Sequence, residues 1–79
     1  MPKVEIVVAF AAVLRKRRAI KGMSQELLAE KANIHPTHVG LIERSRRNPS
    51  LKVCKAIADA LGLPLAQMVA EAEQLCRKK

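Results

Sequence analysis

Apolar residues recur along this chain at helical spacing, and no stretch alternates apolar with polar residues for long enough to suggest a strand. The pattern predicts five helices. The first covers residues 4–21, with Val7, Phe10, Val13 and Leu14 on its buried stripe and Gly22 as the terminator behind it. Ser24 caps a second helix at residues 25–31, with Leu27 and Leu28 facing inward. A tight turn follows at residues 32–34, where Asn33 takes a left-handed conformation that Asn tolerates better than most residues. His35 and Pro36 open the third helix, with Pro36 in its first position. Val39 and Ile42 point inward, and the helix ends near Arg44. After a polar loop at residues 45–49, Ser50 caps a fourth helix at residues 51–61, closed by Gly62. Pro64 starts the fifth, which runs to residue 77. The expected architecture is one all-α domain over residues 1–79, with its core in residues 10–69 and residues 70–79 extending the last helix.

Composition narrows the class. Hydrophobic residues make up 49% of the chain, which excludes a disordered tail, and with one Phe and no Trp or Tyr they favour helix and an aliphatic core. A domain this small holds on the order of 3–5 kcal/mol by itself, so oligomerisation is an expected source of further buried surface. Lys and Arg number 15 against 7 Asp and Glu, a net charge of +8 that points to a polyanion, nucleic acid first and a membrane surface second. The apolar run at residues 6–14 is far short of the roughly 20 residues that span a bilayer, and the basic cluster follows it rather than preceding it as in a leader sequence. Cys54 and Cys76 fall at inward helical positions and read as reduced core or interface thiols, in keeping with a cytoplasmic protein. His35 and His38 share a helix face, yet no Cys, Asp or further His stands near them, so no metal or other cofactor is expected. No nucleophile–base pair, phosphate-cradling glycine loop or paired carboxylates support catalysis, and the chain is read as a non-enzyme.

Residues 14–69 resemble the lambda repressor/Cro-like (XRE-type) helix-turn-helix family, and within it the short single-domain regulators that include restriction–modification controller proteins. The resemblance rests on Arg18, on Gly22-Met23-Ser24-Gln25 with Leu28-Ala29, and on Ile34, Val39 and Ile42-Glu43-Arg44. It continues through Asn48-Pro49-Ser50-Leu51 and Ile57-Ala58-Asp59-Ala60-Leu61-Gly62. Ala29 is the small residue that a steep helix crossing needs, and Asn33 stands where the family usually has Gly. The resemblance implies a compact five-helix DNA-binding fold in which helices 2 and 3 form the helix-turn-helix, and an ion pair between Arg18 and Glu43 that sets the angle of the recognition helix. It further implies a sequence-specific regulator of transcription, active as a homodimer on a palindromic operator in double-stranded DNA. A restriction–modification controller or a repressor of its own promoter is the sharpest form of that reading, with RNA polymerase as a further partner. No small-molecule effector is expected, because the chain leaves no room for a domain to bind one.

A recognition helix puts its N-terminal part into the major groove. Pro36, Thr37, His38, Gly40, Leu41 and Arg44 are therefore the candidate base readers. Thr37 offers a hydroxyl and a methyl, Leu41 an apolar partner for a thymine methyl, and Arg44 a fork for guanine or a phosphate. Gly40 either brings the helix close to DNA or avoids a clash within the protein. Ser24 and Gln25 at the start of the second helix, with Arg46, Arg47, Asn48 and Lys52, are the candidate phosphate contacts. Arg15, Lys16, Arg17 and Lys21 read equally well as phosphate contacts or as a solvated face. On the fifth helix Leu65, Met68, Ala72, Leu75 and Cys76 follow helical spacing and form the expected dimer interface. Leu65, Met68 and Val69 also complete the core, while Ala72, Leu75 and Cys76 extend past it and need a partner's cover. Val4, Ile6 and Val8 are a second apolar set that can serve instead. The rival readings are an interaction module of antitoxin or coactivator type that keeps the fold without reading DNA, and a membrane-surface peptide led by the apolar run. Salt-dependent preference for one duplex separates the first reading from both.

Overall fold

Local capping chemistry sets the helix ends. The computed structural model describes residues 5–77, and in it the helices are α1 (Ile6–Lys21), α2 (Gln25–Ala32), α3 (Pro36–Glu43), α4 (Leu51–Leu61) and α5 (Leu65–Arg77). No strand occurs among the described residues. Ser24 Oγ accepts the Leu27 N–H at 3.0 Å, and Ser50 Oγ accepts the Val53 N–H at 3.1 Å. These hydroxyls satisfy N–H groups that the first turn of a helix leaves without partners. At the start of α3, where Pro36 supplies no N–H, the His35 ring does the capping: its Nδ1 accepts the Thr37 N–H at 3.1 Å. Asn33 closes α2 with φ 58°, its own N–H reaching the Glu30 carbonyl while Ile34 N–H reaches the Ala29 carbonyl. This is the paired-bond termination that a left-handed residue permits.

Two packing relations organise the bundle: α1 lies along α5, and α2 sits against both α3 and α4. The axes of α4 and α5 turn through 105° between them. The core draws on every helix, with Phe10, Val13 and Leu14 from α1, Leu28 and Ala29 from α2, and Val39 and Ile42 from α3. Ile57, Ala58 and Leu61 from α4 and Met68 and Ala72 from α5 complete it. Ala29 is fully buried, and its lack of bulk lets the helices of the turn approach closely. No single described helix is long and apolar enough to cross a membrane.

Several inward assignments change. Leu27 is 39% exposed, because the buried face of α2 is Leu28, Ala29 and Ala32. A helix eight residues long has room for one such face, and Leu27 stands to one side of it. Val7 is only half-buried, the α1 stripe being Ala9, Phe10, Val13 and Leu14. On α5, Val69 lies at the surface, whereas Met68 and Ala72 are fully buried within their own chain. Ala72 thus needs no partner to cover it, and neither Ala72 nor Met68 can form a dimer interface while the core is intact. Leu65, Leu75 and Cys76 pack partly against the core and keep some exposure. Both thiols are free and half-buried, and burial pushes the Cys54 thiol above its ordinary pKa. The expected start of α1 at Val4, and Val4's place in the N-terminal apolar set, fall outside the described residues; Glu5 stands in extended conformation before Ile6.

Candidate nucleic-acid interface

The two faces of α3 have different jobs. Val39 and Ile42 anchor it in the core, and Glu43 follows them at 3% exposure. A buried carboxylate is costly unless paired and hydrogen-bonded. Glu43 is satisfied from two helices. Arg18 of α1 forks onto it, Nε to Oε2 at 2.6 Å and Nη2 to Oε1 at 3.0 Å. Gln25 at the start of α2 donates Nε2 to Oε1 at 2.9 Å. The remaining Arg18 nitrogen, Nη1, donates to the Met23 carbonyl at 2.8 Å and so holds the loop between α1 and α2. Arg15 donates to the backbone carbonyl of Glu43 at the C-terminal end of α3, where a cation is favoured. The bond to Glu43 raises the Arg18 pKa further above its already high ordinary value. Among the described residues, no buried side-chain nitrogen or oxygen lacks a partner.

The side of α3 away from these anchors is open. Thr37 and Arg44 are exposed, and Pro36, His38 and Leu41 are half-buried. Gly40 is buried, although it carries no side chain to bury. The Arg44 guanidinium and the Gln25 amide lie over it. Its backbone is ordinary helix, so no unusual φ accounts for a residue that costs roughly 1 kcal/mol against Ala in mid-helix. Ser24, Arg46, Arg47, Asn48 and Lys52 are exposed, and Gln25 is half-buried. The segment after α3 is held by a left-handed Ser45, φ 59°, whose N–H reaches the Ile42 carbonyl while Arg46 N–H reaches the Leu41 carbonyl at 2.8 Å. That termination leads directly into the Arg46-Arg47-Asn48 stretch.

Sequence reasoning missed three features. Gln25, read as a phosphate clamp, also donates into the Arg18–Glu43 pair. Arg15 is tied to the end of α3. Arg17 forks onto Glu71 of α5, which Gln67 also contacts at 3.2 Å. The Arg17 bond holds the Glu71 carboxyl below the usual carboxylate range. Arg17 is therefore committed to the α1–α5 contact rather than free for a phosphate. Its partner lies 54 residues away, and nothing in the local sequence marks it. Beside this pair a groove of about 450 Å³ runs between α1 and α5, with Ala12, Val13, Lys16, Ala70, Gln74 and Leu75 in its walls.

Residues 14–68, from the end of the α1 core stripe to Met68 of α5, match the helix-turn-helix family. The chain belongs to that family, in its lambda repressor-like form. Its helix-turn-helix is α2, the Asn33 turn and α3. The helix-turn-helix chain is 43% identical over 58 residues to the immunity repressor protein of Bacillus phage phi105, a match covering 73% of this chain and 38% of the repressor. The match thus spans well under half the length of that relative. It is 36% identical over 56 residues to the control protein C.SmaI of Serratia marcescens, covering 71% of this chain and 67% of that protein. Among solved structures, the fold matches the restriction-modification controller protein C.Esp1396I, seen as a tetramer in complex with its natural 35 base-pair operator. The TM-score is 0.86 at 29% identity, over 96% of this chain and 100% of that one.

Proposed function

We propose that this helix-turn-helix protein is a sequence-specific double-stranded DNA-binding regulator of transcription that acts as a homodimer on a palindromic operator. The observation that carries the reading is the division of α3. One face is locked by Val39, Ile42 and the Arg18–Glu43–Gln25 cluster, which leaves Thr37 and Arg44 exposed on the other. Exposed Arg46, Arg47 and Lys52 flank them on a chain of net charge +8. In this reading Pro36, Thr37, His38, Leu41 and Arg44 meet base edges. Ser24, Gln25, Arg46, Arg47, Asn48 and Lys52 hold the sugar-phosphate chain. The relatives support the role: one is named a repressor, another a control protein, and a structural neighbour sits on its operator. A controller of restriction–modification genes, or a repressor of its own promoter, is the form they favour, with RNA polymerase as a further partner and no small-molecule effector.

The geometry of α5 favours one of its edges as the dimer face. Glu71 and Leu75 lie on its α1 side, in the Arg17 pair and the groove. Leu65, Val69 and Cys76 share the other edge of the buried Met68–Ala72 stripe by helical spacing. That edge, with Val69 36% exposed, is the surface a second copy would cover. Selection of bound sequences from random duplexes, followed by titration over a range of salt, tests the whole reading. A preferred duplex with a two-fold repeat is expected. Its log affinity should fall linearly with log salt, by about 0.9 per phosphate contacted. Indifference to every duplex at low ionic strength overturns the proposal.

A further inference from the structure

A mid-helix glycine weakens a helix relative to alanine, and Gly40 has no backbone strain to relieve. Its value lies in the space above it. A Cβ at this position would stand 3.2 Å from Arg44 Nη1 and 3.5 Å from Gln25 Oε1. Arg44 follows Gly40 by four residues, so the two share a helix face, and the arginine side chain leans back along it towards the N-terminus. Gln25 is not free to move aside, because its Nε2 is committed to Glu43. Glycine is the floor of a seat and the Gln25 carbonyl oxygen is its wall.

Resting on the DNA-binding reading above, we propose that Gly40 is a specificity-determining positioning residue, which seats the Arg44 guanidinium for bidentate recognition of a guanine edge. Arg44 is the C-cap of α3, at the end of the helix remote from the groove. Lying back over Gly40 carries its fork about one helical turn, roughly 5.4 Å, towards the end that enters the groove. A fork held in one direction can demand a matched pair of acceptors, whereas a mobile one serves as a diffuse charge. The contacts from Arg18 through Glu43 to Gln25 thus end beside the space over Gly40 in which the Arg44 guanidinium lies, and they fix the recognition helix that carries it.

The test uses the selected duplex and variants of it with each guanine replaced in turn, titrated with wild type, Gly40→Ala, Gly40→Val, Arg44→Ala and the double variant G40V/R44A. Melting curves confirm that each protein folds, and Gly40→Ala should melt higher than wild type. Discrimination at one guanine should weaken slightly in Gly40→Ala and by on the order of tenfold in Gly40→Val and Arg44→Ala. In the double variant, Gly40→Val should cost nothing further at that guanine. If Gly40→Val lowers affinity equally with and without the Arg44 guanidinium, glycine serves close approach of the helix to DNA and the seat is refuted. Unchanged base preference in Gly40→Val refutes it too. Failure of the underlying reading registers differently, as wild-type protein with no preferred duplex, and removes the proposal with it.

Discussion

Among the described residues, two other than glycine take left-handed backbone, and they are not equivalent. Asn33 ends α2 at φ 58°, and its short amide side chain suits that region. Ser45 ends α3 at φ 59° with no comparable aptitude. Left-handed backbone costs an ordinary L-residue about 1–2 kcal/mol, and glycine removes that cost while adding some freedom to the unfolded chain. Ser45→Gly should therefore stabilise the protein by a net of about 1 kcal/mol or slightly less, raising the melting temperature by roughly 4 °C. Asn33→Gly should gain less. Equal or lower melting temperatures for Ser45→Gly would show that its hydroxyl, not its backbone, matters at the mouth of the Arg46-Arg47 loop. Asn33 was legible in the sequence because it stands between two apolar helices at the spacing of a turn. Ser45 was not, since a serine in a polar loop announces nothing about its φ.

Between elements, the contact of α1 with α5 is set by shape and one ion pair. Small residues on both sides, Ala9 and Ala72 among them, are fully buried. At the edge, Arg17 and Glu71 meet, with Gln67 alongside. The Glu71 carboxyl is held below its ordinary pKa, chiefly by the Arg17 bond. The pair consequently contributes stability above the usual carboxylate range, and that contribution is lost as pH falls through the depressed value. Wild type should melt slightly above Glu71→Gln at neutral pH, and the gap should close on acidification. A gap that persists in acid would mean that Glu71 acts through packing rather than charge. No periodicity or spacing predicts this contact. Helical spacing says which side of α5 is apolar, but not which helix will cover it or which arginine of the run at residues 15–18 will turn towards it.

For the whole molecule, the question is which surface remains after the chain has covered what it can. Met68 and Ala72 vanish into the core, and Leu75 is partly enclosed beside the α1–α5 groove. Val69 stays open. Val69→Asp should leave the monomer folded and shift sedimentation towards half the mass. Operator binding should weaken with it, since one copy of so small a domain makes few phosphate contacts. A dimer that survives Val69→Asp would move the interface elsewhere, first to the exposed Ile6 and Val8 of α1.

The sequence by itself determined the number of helices, the chemistry of most of their ends and the identity of the helix-turn-helix. Caps, terminators and the apolar repeat act over a few residues, so their information is local. Beyond the serine caps and the Arg18–Glu43 pair that the family resemblance implied, tertiary structure alone decided where the polar side chains went. It sent Arg17 across 54 residues to Glu71, drew Gln25 into the Arg18–Glu43 pair, and left Leu27 and Val69 in the open. A charged or amide side chain goes to the partner that compensates its lost water, and that partner is known only when distant helices have come together.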